Sequence, residues 1–218
     1  MRRKFKIMRV VSFVCIASLV AVISCSKPFP EGEFLTLLLF RTTTDANKYI
    51  FVTQGTHNGN FAAGFANGIA GADSMCAQEK AANFSSLPGA SSDYKALIVD
   101  GANRQASATA NLGDSQIDWV LKANTSYYLS DQTLLMTTNA TSIFVFGTLL
   151  AQPATSGVSW WTGMDLNWAT GLACTGSVWA STGGSASRGL PGVTGTTAIG
   201  SAAGQLCTST FRLLCVRQ

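Results

Sequence analysis

Residues 68–82 read GIAGADSMCAQEKAA and predict a helix early in the chain. Asp73 is of a residue type that caps helix N-termini well, so we expect the helix to begin there and to run through Ala82. A helix of this length buries one face against the rest of the domain. The side chains expected on that face are those of Met75 and Cys76 and the aliphatic stem of Lys80.

The other predicted elements are mostly short strands separated by loops. Residues 48–53 (KYIFVT) predict a first strand and residues 211–216 (FRLLCV) a closing strand. Residues 181–205 contain 15 Gly, Ser or Thr in 25, a long irregular excursion that a packed domain must pin. The sequence therefore predicts a loop-rich α+β domain over residues 49–218. The remaining candidates are residues 94–99 as a strand or short helix, 114–122 as a short helix, and 143–146 and 159–163 as strands.

The composition is that of a globular protein. The chain has 218 residues, 47% hydrophobic and 12% charged, which excludes disorder and suits one domain or two small ones. Five of its 15 basic residues lie within the first 24, and residues 25–218 hold ten basic against eleven acidic side chains. A body so close to neutrality lacks the positive surface that nucleic-acid binding needs, so we expect no nucleic acid as a partner.

The first 24 residues are predicted to be an export signal. Residues 1–9 are basic, and residues 10–24 are uncharged but too short for a comfortable membrane span. The run ends in Val-Ile-Ser-Cys at 22–25, which resembles the bacterial lipobox. That resemblance implies that Cys25 carries a lipid, palmitate included, which anchors an exported protein to the bacterial envelope. We expect the location to be the outer membrane, with the protein exposed at the surface, although the residues after Cys25 do not by themselves specify the membrane. Residues 25–48 would be the tether, and its apolar run 34–40 has no assigned role. An ordinary cleaved signal or an uncleaved anchor is the alternative.

Four cysteines remain in the predicted exported part. Their number is even and an exported protein meets an oxidising compartment, so we expect two disulfides. The spacing alone leaves all three connectivities open. A zinc site is disfavoured because there is no Cys-x-x-Cys pair and His57 is the only histidine in the sequence. The four cysteines are Cys76, Cys174, Cys207 and Cys215.

The order of these blocks resembles the C-type-lectin-like fold: a helical cysteine, a Trp-Trp-Thr-Gly strand, two later cysteines and a final strand that bears a cysteine. Residues 68–82 and 204–218 (GQLCTSTFRLLCVRQ) are similar to the first-helix and closing segments of endostatin. Over about 48–218 the chain resembles the leptospiral endostatin-like surface lipoproteins, with further similarity in residues 94–106, 118–131 and 160–168. The resemblance implies two nested bridges, Cys76–Cys215 and Cys174–Cys207.

The known ligand sites of that fold lack their residues in this chain. Calcium-dependent lectins use oxygen ligands from Glu-Pro-Asn or Gln-Pro-Asp together with Trp-Asn-Asp. Here Gln152-Pro153-Ala154 lacks the third oxygen, and no Trp-Asn-Asp occurs. The zinc site of endostatin uses histidines and its heparin affinity uses clustered arginines, whereas the basic residues here are dispersed. We therefore expect neither a metal nor a cofactor.

No catalytic constellation is evident, and we expect that the protein is not an enzyme. His57 lies in a polar Gly-Thr-His-Asn-Gly loop, where a surface histidine is the simpler interpretation. The chain has no Gly-x-Ser-x-Gly elbow, no Walker motif and no Gly-x-Gly-x-x-Gly after a strand. Asp114 and Asp118 are spaced to share a helix face, but a solvated face or an N-cap explains them better.

Aromatic and arginine side chains are the candidate binding residues, because Trp, Tyr and Arg dominate interface hot spots. Adjacent Trp160 and Trp161 must point to opposite faces of a strand, and most of the five tryptophans are expected in the core. An exposed indole beside the 181–205 loops, Trp161 or Trp168, would anchor an interface. Arg188 in those loops is the other candidate.

The resemblance implies a surface lipoprotein that binds host proteins, such as the complement regulator factor H and the matrix proteins laminin and fibronectin. A lipid anchor and long loops on a disulfide-held platform are compatible with such an adhesin, since loops usually carry recognition. The alternative is a module that binds glycans by aromatic stacking without calcium, or a structural module of the envelope.

Overall fold

The computed structural model describes residues 47–154, 156–157, 159–174, 176, 178–201 and 203–218. The predicted signal peptide, Cys25 and the tether up to residue 46, with its apolar run 34–40, lie outside these residues. Thr44–Gln218 form one compact unit. Within its described part, one α-helix, nine short strands and long irregular segments build a mixed α+β domain.

Loops and turns occupy more of this domain than helix and strands do. The predicted first strand, helix, Trp-Trp strand and closing strand are confirmed, and the 181–205 region holds only two-residue strands and one 3₁₀ turn. The elements in chain order are β1 (Lys48–Val52), α1 (Gly68–Asn83), β2 (Tyr94–Ala96), β3 (Ser126–Leu129), β4 (Leu134–Thr137), β5 (Trp160–Trp161), β6 (Ser185–Ala186), β7 (Arg188–Gly189), β8 (Gln205–Leu206) and β9 (Leu214–Arg217).

The main sheet has the strand order β2-β9-β1-β3-β4. Strand β1 lies at its centre, parallel to β3 and antiparallel to the closing strand β9. The chain therefore brings its first and last strands together, with Val52 opposite Leu214. Two small sheets, β5 with β7 and β6 with β8, order the later loops.

Alternation along the strands divides the buried side chains between two cores. On β1, Ile50 enters one core and Phe51 the other; on β9, Val216 joins Ile50 and Cys215 joins Phe51. The two cores therefore lie on opposite faces of the sheet. The loop-side core contains Trp119, Trp160 and Trp168, whereas the helix-side core contains Trp161, Trp179 and the inner residues of α1.

Two disulfides lie in the helix-side core, in the nested pairing that the sequence resemblance implies. Cys76–Cys215 joins α1 to β9 across 139 residues. Cys174–Cys207 closes a loop of 33 residues that contains the whole irregular 181–205 region. The second bridge therefore supplies the constraint that such a long irregular segment requires.

The helix begins earlier than the sequence predicts, and Asp73 is not its cap. Asn67 is the N-cap, because its side-chain oxygen accepts the N–H of Ala70 at 2.8 Å. Asp73 is instead a buried residue of the second turn. Gly71 lies in the added turn because the helix passes so close to the carbonyl of Phe61 that a Cβ would clash with it.

Two other expected elements are wrong. Residues 114–122 form no helix, because Ser115 and Asp118 have φ values of +50° and +41°, which an α-helix does not accommodate. Residues 143–146 are not a strand: Ile143 and Phe144 are both buried and Val145 is exposed, which is not the alternation of a sheet. In both segments the apolar pattern reflects loop residues that pack into the loop-side core.

None of the helices in the described ranges is long and apolar enough to cross a membrane.

Candidate functional site

Four extended segments lie side by side beyond the C-terminal end of β1. His57 and Phe211 exchange backbone hydrogen bonds of 2.7 and 3.0 Å. On the other side of this segment, Arg212 bonds to Ser159 and Trp161 through backbone contacts of 3.0 Å each. Strand β5 then pairs with β7, with Trp161 opposite Arg188. Residues distant in sequence thus form one continuous surface.

The pairing determines which side chains share a face of this surface. Partners opposite one another in neighbouring strands point the same way, and successive residues alternate. Four side chains and the underlying indole of Trp161 therefore lie together on one side, whereas Trp160 and Arg212 point to the other. The first set, termed the Arg188 face, consists of His57, Ser159, Arg188 and Phe211.

Trp161 is the buried floor of the Arg188 face. It has no exposed surface, and its Nε1–H donates to the carbonyl of His57 at 2.8 Å. Its ring meets the ring of Phe211 edge to face, with centroids 4.6 Å apart. An indole fixed by both a hydrogen bond and aromatic packing gives the face a rigid base.

Arg188 is held in place by an aromatic ring and a hydroxyl. Its guanidinium carbon lies 5.0 Å from the centroid of the Phe211 ring, within the range of a cation–π contact. One terminal nitrogen donates to Ser159 Oγ at 3.2 Å. The side chain is half-buried, so the stack and the hydrogen bond restrict a group that elsewhere on the surface would move freely.

Arg188 has no acidic partner among the described residues, whose ion pairs are formed by other side chains. Its Nε is buried and has no hydrogen-bond acceptor in the part of the chain that the structure describes. Buried polar groups are usually paired, so an unpaired donor beside a partly exposed guanidinium requires an explanation. A planar cation with free donor edges is suited to a carboxylate or another oxyanion.

His57 contributes a neutral imidazole to the face at physiological pH. Burial lowers its pKa below the ordinary 6.5, and the nearby charge of Glu79 only partly opposes this effect. Glu79 is itself engaged, since its carboxylate accepts the backbone N–H of Gln54 at 2.6 Å and the side-chain amide of Asn83 at 2.8 Å. Arg188 is therefore the permanent cation of the face.

The predicted indole anchors are wrong as exposed contacts. Trp161 and Trp168 both have no exposed surface. Trp168 donates its Nε1–H to the carbonyl of Phe144 at 3.2 Å and packs on that ring at 4.6 Å. All five tryptophans are buried, because a loop-rich domain with little regular structure depends on large side chains to fill its cores. Of the three predicted binding residues, only Arg188 reaches the surface.

Asp114 and Asp118 lie on a loop, not on a helix, and they have separate roles. Asp114 closes a turn: hydrogen bonds from the backbone N–H and hydroxyl of Thr109 lower its pKa to about 2. Asp118 pairs with Arg104, which also binds Asp73 through two contacts of 2.8 and 2.9 Å. Their carboxylates therefore do not form the pair of a catalytic acid and base.

Arg104 is a fully buried arginine that the sequence did not reveal. It has no exposed surface, and all three of its guanidinium nitrogens donate to Asp73, Asp118 or the carbonyls of Ala96 and Asp118. Burial opposes its charge, but the hydrogen bonds and charges of the two aspartates outweigh this and raise its pKa. This cluster joins α1, β2 and the 100–118 loop.

Phe211 and Ser159 also escaped sequence reasoning. The sequence favours a core position for Phe211 in the closing strand. Its position on the Arg188 face follows from two pairings, of Phe211 with His57 and of the next residue, Arg212, with Trp160 of β5. Alternation within residues 211–216 indicates only that Phe211 and Arg212 point opposite ways. Among the described residues, no three His, Cys, Asp or Glu side chains converge as metal ligands, at this face or elsewhere.

The fold and site define a disulfide-bridged α+β domain whose Arg188 face carries a cation. The chain belongs to the family described as protein of unknown function (DUF1554), which matches residues 54–198, about two thirds of its length. The match includes His57, Trp161 and Arg188 and ends before Phe211. No curated protein matches the chain.

Proposed function

We propose that this chain is a lipid-anchored bacterial surface protein that binds a host protein through the Arg188 face. In this proposal residues 1–24 are the lipoprotein signal peptide, Cys25 carries the lipid in the outer membrane, and the domain is C-type-lectin-like of the endostatin type. The ligand candidates that follow from the sequence resemblance are factor H, laminin and fibronectin. The protein acts by binding and not by catalysis.

The observation that carries the proposal is the state of Arg188. Its guanidinium is stacked on Phe211, bonded to Ser159 and left without an acid among the described residues. An immobilised arginine loses little further freedom on binding, and fully desolvated arginines are among the commonest interface hot spots. A rigid floor under a half-buried cation is the arrangement expected of a contact residue.

Glycan binding by stacking is the less favoured function. It would use an exposed indole, and every tryptophan of the chain is buried. Among the described residues, Phe65 is the exposed large aromatic, with 40% of its surface accessible, and it lies outside the Arg188 face. Calcium-independent glycan binding without host-protein binding is therefore the result that would contradict the proposed function.

The direct test is equilibrium binding of oxidised, unlipidated residues 26–218 to immobilised factor H, laminin, fibronectin and a glycan array. These residues contain both cores and both disulfides of the compact unit. A reduced and alkylated sample is the control for the fold. We expect saturable binding to one host protein that is lost on reduction.

Arg188→Met locates the contact, with Arg212→Met as its matched control. Both arginines are half-buried, and neither Nε has a partner among the described residues, but they point to opposite faces of the paired segments. A hot-spot arginine contributes about 2 kcal/mol or more, so R188M should weaken binding about 30-fold while R212M should leave it nearly unchanged. Absence of host-protein binding by the folded protein, with calcium-independent glycan binding instead, would replace the proposed function.

A further inference from the structure

A second surface of the domain exposes aliphatic side chains with no visible structural purpose. Of the seven exposed large apolar residues in the described ranges, four lie on the neighbouring loops 109–118 and 139–150. Three of them, Leu112, Val145 and Leu150, are 56%, 61% and 67% exposed. With half-buried Phe146 they are termed the aliphatic patch.

The surface around the patch is concave. Val145 stands between two shallow pockets of about 370 and 300 Å³. One pocket reaches Leu150, and the other reaches Phe146 and Asn111, the residue before Leu112. No charged side chain lines either pocket. A surface that exposes clustered aliphatic groups without a charge is adapted to a nonpolar or interfacial partner.

The strand register places the patch at the end of the sheet where the preceding chain enters. Lys48, the first residue of β1, is level with Tyr127 of β3, which is level with Met136 of β4. Thr137, the last residue of β4, and the next two residues, Thr138 and Asn139, line the pocket that contains Val145. The Arg188 face lies beyond the opposite end of β1.

We infer that the aliphatic patch rests on the interface of a zwitterionic lipid bilayer, beside the point where the lipid-bearing segment joins the domain. Residues Leu112, Val145 and Leu150 enter the headgroup region, and the Arg188 face points away from the membrane. This inference rests on the proposed function only for the natural anchor at Cys25.

The segment between Cys25 and Lys48 is short enough that a small patch is sufficient for contact with the bilayer. Cys25 and Lys48 are separated by 22 residues, which reach at most about 75 Å when fully extended. An anchored domain therefore meets the bilayer at a high local concentration, where a contact too weak for free binding is populated. Asp114, ionised above about pH 2 and two residues from Leu112, disfavours a strongly anionic surface.

Quenching of an added indole by brominated lipid tests the contact. Residues 26–218 with an N-terminal hexahistidine are captured on phosphatidylcholine vesicles that contain nickel-chelating lipid, so that the measurement does not depend on acylation of Cys25. V145W places an indole in the patch. Its matched control is L206W, because Leu206 is 64% exposed and adjoins Cys207, which bonds to Gly59 beyond the far end of β1.

We expect brominated phosphatidylcholine to quench the added fluorescence of V145W at least about twofold more than that of L206W, after subtraction of the five buried tryptophans. Leu150→Trp repeats the test if V145W fails to fold. Equal quenching of patch and control indoles, or none in either, would overturn the inference. Sedimentation showing that the patch instead joins two copies, with V145W unquenched, would overturn it as well. Host-protein binding is measured separately, so either proposal can fail alone.

Discussion

Two arginines, Arg104 and Arg188, distinguish two regions of this domain. Arg104 has every guanidinium nitrogen bonded, to Asp73, Asp118 and backbone carbonyls, and it is fully enclosed. Arg188 is half-buried on an aromatic ring, with one hydroxyl acceptor and an unpaired Nε. The first arginine is satisfied by its own chain, whereas the second retains capacity for a ligand.

This difference indicates different roles: Arg104 stabilises the fold, and Arg188 is the proposed contact residue. A buried charge is tolerated only when partners compensate for its lost hydration, and removal of one partner leaves the other charge uncompensated. Arg104 therefore links α1 to the sheet and the following loop. Among the described residues Arg188 has no such compensation but keeps access to solvent, and for this reason it is the contact residue of the proposed function. Each region also has its own disulfide, Cys76–Cys215 near Arg104 and Cys174–Cys207 around Arg188.

Removal of the disulfides should have the largest effects on stability, and removing each one alone should distinguish the Arg104 region from the Arg188 region. The chain-entropy model assigns about 5 kcal/mol to the 139-residue closure and about 4 kcal/mol to the 33-residue closure. C76A/C215A should therefore reduce the free energy of unfolding more, as measured by urea denaturation. C174A/C207A should reduce it less but abolish binding through Arg188, which lies inside that loop. Retained Arg188-dependent binding without the second bridge would contradict this division.

Replacement of Arg104 by Met should cost about 3–4 kcal/mol of unfolding free energy, because buried Asp73 would lose its main partner. Lys95 lies 3.3 Å from Asp73 and recovers only part of this loss. The double variant R104M/D73N removes the uncompensated carboxylate and should be more stable than the sum of the two single changes predicts. Simple additivity in this cycle would show that the cluster is not a coupled unit.

Replacement of Arg188 by Met should have a small effect on stability, about 0.5–1 kcal/mol, from the lost ring contact and hydroxyl bond. Thermal and urea unfolding of R188M, with R104M in parallel, measure the contrast directly. A loss as large as that of R104M would assign Arg188 to the framework and remove the physical basis of the binding site.

The smallest expected effect is a pH dependence from His57. Burial lowers its pKa in the folded protein, whereas the unfolded chain keeps the ordinary 6.5. As pH falls through 6.5, the unfolded state therefore takes up the proton first, and stability declines until the lower folded pKa is passed. H57Q should show a weaker loss of stability between pH 7.5 and 5. Parallel pH profiles for wild type and H57Q would contradict this cause.

The sequence allowed the regular elements to be predicted where local chemistry was unambiguous. The aromatic and β-branched run at 48–52 became β1, and the helical cysteine lies in α1. The start of the helix was misplaced because Asn67 and Asp73 are both good caps, and only the approach of Phe61 to Gly71 decides between them. Local preference identifies candidates, and packing selects one.

The candidate site was predictable in part. Arg188 was identified as an arginine in a long loop, but its partners Phe211 and Ser159 were not, since they come from strands 23 and 29 residues away in sequence. The indoles were misjudged because tryptophan is typical of both cores and interfaces. Burial decides between these roles, and burial depends on contacts that the sequence does not display.

By itself, the sequence determined the α+β character, the loop-rich body and an even set of four cysteines, because composition and short-range periodicity reflect local chemistry. Only the tertiary structure decided that Arg104 is satisfied and Arg188 is not. It also decided that all five tryptophans are buried while Val145 and Leu150 are exposed. These properties depend on which distant segments meet, and long-range packing is encoded by the whole chain at once.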